Sequence, residues 1–362
     1  MSTPRRLLAI KLADLGDVLN ITPALRALRH TFPQARIEVL VNPHTAPVLL
    51  GSPFVDEVVV FPKTAFEGLS GLHPRAWRPL WGHLTALRRR GYDTVIDFHH
   101  LTTPLGRWKQ RLLMAATGAA VTVGLDNGYG RWFTHPVPDG GFGACREVEY
   151  WLALAGRLGA THPDTSLHLP LTAADHATAT ELLAQAGLQP QGFVVLHPGS
   201  GGYAPARRWD PAKFAGLAAA LYRHYGLPAV LVGTAGDDVP AVLAGGTSPL
   251  HDFSCRLTIR EVAAVIARAA LFVGADSGVM HIAAAMATPL VAIFGPTNPL
   301  AWAPWTPHSP ARVVRLGISC SPCAYVGHRV GRRQGCPERA CLADLEVKTV
   351  LAAAVELLTD RL

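Results

Sequence analysis

Short apolar runs alternate with amphipathic stretches along the first half of the chain. The run Leu7–Leu12 precedes the stretch Ile21–His30, where Leu25 and Leu28 lie on one helical face. Further runs predict strands at Ile37–Val41, Val58–Phe61 and Thr94–Phe98, with a helix at Ala76–Arg90. Short strands that alternate with helices are typical of a parallel sheet covered on both faces.

A second series of the same kind begins near Thr172. Thr172 and Asp175 predict a helix start, and Gly187 predicts its end. Asp210 and Pro211 predict the start of a helix at Ala212–Tyr225. Further strands are predicted at Phe193–Leu196, Leu227–Val232, Leu271–Val273 and Leu290–Phe294. The pattern therefore predicts an α/β chain with two doubly wound, Rossmann-like domains facing across a cleft, which is the natural ligand site.

The length of 362 residues suits two cores, and 49% apolar residues can fill them. We predict an amino-terminal domain at 1–170 and a carboxyl-terminal domain at 171–345. A helix at 346–362 is expected to pack back towards the first domain. No period of about 20–50 residues recurs, which excludes a solenoid.

The amino terminus and the cysteines predict a cytosolic protein. Lys11 and Asp14 interrupt the first apolar stretch before it could form a signal peptide. The stretch Val279–Gly295 contains His281 and is shorter than the ~20 residues of a membrane span, so it predicts a buried helix followed by a buried strand. Six cysteines without a secretory signal indicate reduced thiols.

The net charge of +7 favours anionic partners, although a GC-rich genome that encodes Arg for Lys produces the same excess. Arg88–Arg90 with Arg107, Lys109 and Arg111 predict either solvated helix ends or a basic rim for an anionic glycolipid or the bilayer surface. No recognisable nucleic-acid-binding module is present, so we expect no nucleic-acid partner.

The turn after the first strand, Ala13–Val18, is the first candidate for chemistry. It holds one glycine, Gly16, where a nicotinamide-binding fingerprint needs GxGxxG. Gly16 places Asp17 at the end of a strand, where a carboxylate can accept the proton of an attacking hydroxyl. The alternative is that Asp14 or Asp17 only caps a helix.

Two later turns can bind an anion. His197–Gly202 is glycine-rich and is followed by Arg207 and Arg208, a combination suited to a pyrophosphate or, alternatively, a solvated surface loop. Asp276, Ser277 and Gly278 begin a helix whose amino end can hold a phosphate, with His281 one turn later. The alternative there is an ordinary capped helix with a buried histidine.

Two weaker patterns complete the candidates. Asp97 and His99 follow another strand, where contacts to an acceptor can lie. Cys320 and Cys323 form a CxxC pair, but Cys336 and Cys341 are spaced CxxxxC, so a structural zinc or iron competes with incidental reduced thiols. We therefore assign no metal ligand.

Together these motifs resemble glycosyltransferase family 9, the ADP-heptose:lipopolysaccharide heptosyltransferases. The resemblance extends through nearly the whole chain. It rests on Leu15–Val18 with Thr22–Leu25, His197–Ser200 with Arg208 and Trp209, Asp276–Gly278 with His281, and Phe294–Thr297.

The resemblance implies a GT-B fold and an inverting, metal-independent transfer that needs no cofactor. The donor, a nucleotide sugar such as ADP-heptose, binds the second domain, and an envelope glycan acceptor binds the first. Asp17 is then the general base. Donor-binding residues are Ser200, Arg207, Arg208, Asp237, Asp276, Ser277, Gly278 and His281. Action at the inner face of the cytoplasmic membrane follows from the lipid-linked acceptor.

Two other functions remain open at this point. A nucleotide-sugar epimerase of GT-B fold would form product from the donor alone. A non-catalytic nucleotide-sugar-binding protein would bind the donor without turnover. The missing glycines disfavour an oxidoreductase.

Overall fold

The computed structural model describes residues 3–63, 74–201, 205–332 and 334–359, so Gly202 of the glycine-rich turn lies outside it. The chain forms two compact units. The first contains Met1–Gly141 and Glu147–Thr165, and the second contains Phe142–Arg146 and Ser166–Leu362. The chain therefore passes into the second unit for five residues and returns before it finally leaves the first.

The first unit is built on a parallel sheet in the order β3-β2-β1-β4-β5-β6. Its strands are β1 Arg6–Lys11, β2 Arg36–Val41, β3 Glu57–Val60, β4 Thr94–Asp97, β5 Val121–Asp126 and β6 His135–Pro138. Its helices are α1 Leu15–Asn20, α2 Thr22–Thr31, a 3₁₀ segment Pro43–Val48, α3 Pro74–Arg89, α4 Pro104–Thr117 and α5 Glu147–Gly156. The strand order reverses between β1 and β4, which is where open α/β sheets bind ligands.

The second unit repeats this topology in the order β12-β11-β10-β7-β8-β9. Its strands are β7 Val194–His197, β8 Ala229–Leu231, β9 Leu250–Asp252, β10 Leu271–Ala275, β11 Leu290–Ile293 and β12 Ala311–Val314. Its helices are α6 Ala173–Gln185, a 3₁₀ turn Pro205–Arg207, α7 Pro211–Tyr225, α8 Val239–Ala244, α9 Ile259–Ile266, α10 Gly278–Ala285, α11 Pro299–Trp302, α12 Ala340–Ala343 and α13 Val347–Thr359. Here the order reverses between β7 and β10.

The apolar runs form strands because they are covered on both faces. In β1 and β2 every residue after the first is buried, as expected for inner strands of a parallel sheet. The predicted caps also form: Thr172 and Asp175 make a capping box, and Asp210 accepts a hydrogen bond from the Ala212 N–H. Gly226 ends α7 in the left-handed conformation that glycine tolerates best.

The carboxyl-terminal helix α13 belongs to the second unit. Val350, Ala354, Leu357 and Leu358 enter the apolar core of that unit beside α7, because they form one face of the helix. The helix thus packs on the sheet of its own unit, and packing towards the first domain stays a prediction.

The apolar stretch Val279–Gly295 forms α10 and β11, as predicted. Within the described ranges, no helix combines the length and the apolarity that crossing a bilayer requires.

Candidate functional site

Asp17 lies on α1, directly after the carboxyl end of β1. Its carboxylate Oδ1 is 3.2 Å from the Nζ of Lys11, the last residue of β1. The Lys11 side chain is only 3% exposed, whereas 24% of the Asp17 side chain is exposed. Asp17 is thus held by a buried cation while part of its carboxylate remains open to a reactant.

Lys11 is fixed by two further contacts. Its Nζ donates a hydrogen bond to the Phe98 carbonyl at the end of β4 (2.9 Å) and lies 4.2 Å from the centroid of the Trp151 ring. A cation against an aromatic face and a carbonyl keeps its charge stabilised despite burial. The lysine therefore ties Asp17 to the point where the strand order reverses.

The alternative that these aspartates only cap the helix is not supported by their contacts. Asp14 occupies the N-cap position but makes no side-chain capping hydrogen bond. Its side chain is largely exposed and lies 3.6 Å from the Nε2 of His44. Asp17 lies within the first turn and is paired with Lys11 instead.

His99 and Asp97, the weaker acceptor candidates, form a hydrogen-bonded group after β4. His99 Nε2 accepts the Leu12 N–H (3.0 Å), so its Nδ1 carries the proton and donates to Asp97 Oδ1 (2.6 Å). The same Oδ1 accepts from Gln110 Nε2 on α4 (2.5 Å). Asp97 is fully buried and orients His99, and the contact of either residue with an acceptor stays a prediction.

His100, which also follows Asp97 at this strand end, forms a buried ion cluster beside this group. Its Nδ1 is 3.0 Å from Asp139 and its Nε2 is 3.1 Å from Glu147, the first residue of α5. Burial opposes the imidazolium charge, but hydrogen bonds to Asp139 and Glu147 outweigh burial and raise the pKa of His100 to about 9. The cluster joins the loop after β4 to α5.

In the second unit, the predicted donor motifs meet at one edge of the sheet. The turns after β7, β8, β10 and β11 contain, respectively, His197–Gly201, Gly233–Asp237, Asp276–Gly278 and Phe294–Thr297. These four strands are neighbours in the order β11-β10-β7-β8, and all are parallel. Their carboxyl ends therefore lie side by side where the strand order reverses.

The helix α10 begins at this edge. Ser277 is its N-cap, and its Oγ accepts the Met280 N–H (3.4 Å) and lies 3.3 Å from His197 Nδ1. Gly278 opens the first turn, and His281 lies one turn in and is buried. The N–H groups of this first turn and the helix dipole suit a phosphate.

The two arginines have different partners at this edge of the sheet. Arg207 Nη1 is 3.3 Å from Asp276, and its Nη2 donates to the hydroxyl of Tyr325 (3.3 Å). Arg208 Nε donates to Ser200 Oγ (3.4 Å). Both guanidinium groups are partly exposed, so each is oriented by its partners and still presents donors.

Asp237 is buried against the glycine-rich turn. Its Oδ2 accepts the N–H (2.8 Å) and the hydroxyl (2.9 Å) of Thr234, and its Oδ1 is 3.5 Å from Arg208 Nη2. Burial would raise the pKa of Asp237, but His197 and Thr234 keep it well below the usual range. A Cβ at Gly199 would lie 1.9 Å from this carboxylate, so only glycine fits there. Asp237 therefore shapes the turn, and its contact with a nucleotide ribose stays a prediction.

The four cysteines of the candidate metal site lie near one another in the second unit. Burial, followed by the charges of Cys336 and Cys320, raises the pKa of Cys323, and burial also raises that of Cys341. Across the described ranges, no group of three or more His, Cys, Asp or Glu side chains has an arrangement that could hold a metal ion. A structural metal at these thiols stays a prediction.

Comparisons with known proteins agree with this geometry. Residues 80–332 match the sequence profile of glycosyltransferase family 9 (heptosyltransferase). Lipopolysaccharide heptosyltransferase 3 of Escherichia coli is 30% identical over 310 residues, which cover 80% of this chain and 84% of that protein.

Two solved structures have the same fold. The E. coli ADP-heptose lipopolysaccharide heptosyltransferase II matches with a TM-score of 0.71 and 24% identity over 98% of this chain and 99% of that chain. The E. coli heptosyltransferase WaaC with ADP matches with a TM-score of 0.71 and 19% identity over 97% and 99%. The predicted GT-B fold is confirmed. This chain belongs to glycosyltransferase family 9, the heptosyltransferase family of lipopolysaccharide core biosynthesis.

Proposed function

We propose that this protein transfers a heptose from ADP-heptose to a lipopolysaccharide-core or related envelope glycan, with inversion at the anomeric carbon. The observation that carries the proposal is the convergence of four motif-bearing strand ends, α10 and two arginines at one edge of the second sheet. The relatives support the donor, since one is named for ADP-heptose and another was solved with ADP.

The second unit supplies the donor site in this proposal. The first turn of α10, from Ser277 and Gly278, accepts one phosphate, and Arg207 and Arg208 neutralise the other as the diphosphate leaves. These groups provide positive charge and N–H donors for the leaving group from the protein itself. We therefore expect transfer to be independent of a divalent metal.

Asp17 supplies the general base. A single displacement needs one group to remove the proton of the acceptor hydroxyl as it attacks, and no enzyme nucleophile. Asp17 fits this role because its partly exposed carboxylate is held in place by the buried Lys11. Lys11 acts as a positioning residue through Asp17.

The test is transfer from ADP-heptose to a heptose-deficient lipopolysaccharide, followed by mass spectrometry and by NMR of the new anomeric centre. We expect Asp17→Asn to lower kcat by about 10²–10⁴-fold, the usual contribution of a general base. Asp14→Asn is the matched control and should retain wild-type turnover, because the Asp14 side chain is largely exposed three residues away.

Three outcomes would refute the proposal or a part of it. Full activity of Asp17→Asn would remove the general-base role. Stabilisation by ADP-heptose with no transfer to any heptose-deficient acceptor would make the protein a nucleotide-sugar binder, and product from the donor alone would make it an epimerase.

A further inference from the structure

The outward face of α4 is apolar where a surface helix is normally polar. Leu105 and Trp108 are each 62% exposed and Leu112 is 37% exposed. At about 100° per residue these three side chains fall within an arc of about 60°. The buried face of the same helix holds Leu113, Met114 and Thr117. The helix thus presents a second apolar stripe, directed away from its own core.

Two cations border this stripe. On the same helical wheel, Lys109 lies about 40° beyond one edge and Arg111 about 60° beyond the other. Both are exposed. The Arg107 side chain points away from the stripe. It donates a hydrogen bond to the Leu101 carbonyl (3.0 Å), and its guanidinium lies 3.4 Å from the centroid of the Tyr129 ring. An apolar stripe with long cations at both margins is the pattern of helices that lie in a membrane interface.

The neighbouring helix α3 extends this face. The Arg88 side chain of α3 lies against Gly118, which ends α4. Trp81 lies two turns before Arg88 on the same side of α3 and is 60% exposed. Both helices connect parallel strands and run in the same direction, so Trp81 lies at about the level of Arg111. The two exposed tryptophans therefore belong to one surface.

The exposed charged side chains described on α3 and α4, Arg88, Arg89, Lys109 and Arg111, are all basic. The sequences of α3 and α4 contain four arginines and three basic residues, respectively, and neither contains Asp or Glu. Arg90, just after α3, is engaged by Glu57 (2.6 Å) and Glu38 and so does not take part. A second copy of the chain is a poor occupant, because an isologous contact would bring these cations together.

We propose that the α3–α4 face, centred on Trp108 and Leu112, docks the protein on an anionic phospholipid bilayer. Tryptophan favours the interface between headgroups and acyl chains, and basic side chains favour anionic headgroups. Resting on the proposed function, this places α4 beside Asp97 and His99, the candidate acceptor contacts, since the inward residue Gln110 donates a hydrogen bond to Asp97. A lipid-linked acceptor would then reach the first unit from the surface on which the protein lies.

The test is co-sedimentation of the full chain with vesicles of phosphatidylcholine, with and without phosphatidylglycerol. Wild type should bind only the anionic vesicles, and added salt should weaken binding. Lys109→Gln with Arg111→Gln should weaken partitioning on the order of 20-fold, since each basic residue contributes a factor of about five. Trp108→Ser with Leu112→Ser should weaken it at least about tenfold through lost apolar burial.

The matched control is Tyr222→Ala with Arg223→Gln, an exposed aromatic and an exposed cation on α7 of the second unit, which should bind vesicles like wild type. All variants should keep the far-ultraviolet circular dichroism spectrum and the cooperative thermal unfolding of wild type, which shows that both units fold. Equal vesicle binding by wild type and both α4 variants would overturn the docking surface. The proposal would also be overturned if wild type is a dimer and the Trp108→Ser, Leu112→Ser variant is a monomer. Vesicle binding without heptose transfer would instead overturn only the proposed function.

Discussion

The buried cluster around His100 makes the stability of the first unit dependent on pH. In the folded protein the pKa of His100 is about 9, against an ordinary value of 6.5. The folded state therefore holds this proton more tightly than the unfolded chain does. Its contribution is fully present below pH 6.5 and is lost as the pH rises through 9. A difference of this size corresponds to roughly 3 kcal/mol of unfolding free energy.

Calorimetry across this window measures the effect. For a unit of this size, roughly 3 kcal/mol corresponds to a fall in Tm of about 6–12 °C between pH 6.5 and pH 9. His100→Gln keeps groups that can hydrogen-bond Asp139 and Glu147 but cannot take up the proton, so its transition should lack this component. His44→Gln is the control, because the side chain of His44 is largely exposed and lies outside the cluster.

An NMR titration of His100 gives the direct check. The reasoning is refuted if His100 titrates near pH 6.5, or if His100→Gln shows the same loss of stability with rising pH as wild type. The first result would mean that burial cancels the effect of the two carboxylates on the pKa of His100.

Three other predictions concern the reaction site. Gly199→Ala should weaken ADP binding at least about tenfold, because the new methyl group would displace Asp237 and cost one or more of its charge-assisted hydrogen bonds. Isothermal titration calorimetry measures the ADP affinity. Gly236→Ala is the control and should bind ADP like wild type, because its Cβ would meet open space. Lys11→Met should lower kcat at least about tenfold by releasing Asp17, while the rise in melting temperature with ADP stays unchanged. A changed rise with ADP would contradict a role of Lys11 that is confined to the first unit. Incubation with EDTA should leave turnover unchanged, and a loss restored by Mg²⁺ would disprove metal independence.

Most of the buried strands and the motif positions could be predicted from the sequence because both follow from local pattern. The inner strand β5, Val121–Asp126, is the buried strand that the pattern missed. Apolar runs such as Leu290–Phe294 become inner strands within a residue or two, and parallel strands bring their carboxyl ends to one edge. The edge strands β6 and β9 could not be predicted in this way, because neither forms an apolar run. His135–Pro138 contains two prolines, and Leu250–Asp252 has only three residues.

The polar groups around the candidate base could not be predicted, since their partners are distant in sequence. His100 meets Asp139 and Glu147 across 39 and 47 residues, and nothing near His100 indicates either contact. Asp97 likewise accepts a hydrogen bond from Gln110 in the following helix, a contact that its own neighbours in sequence do not indicate. Local patterns identified the residue types at the strand ends, and tertiary packing decided which of them face a reactant.

The five-residue passage Phe142–Arg146 determines how this protein can be divided. Phe142 exchanges backbone hydrogen bonds with Gly327 (2.7 and 3.1 Å), and its ring packs edge-on against Tyr325, whose hydroxyl accepts from Arg207. A fragment ending at Thr165 would carry Phe142 without these partners. A fragment beginning at Ser166 would leave Gly327 and Tyr325 uncovered next to Arg207. A single cut therefore damages both products, and separately expressed halves need Phe142–Arg146 transplanted from one gene segment to the other.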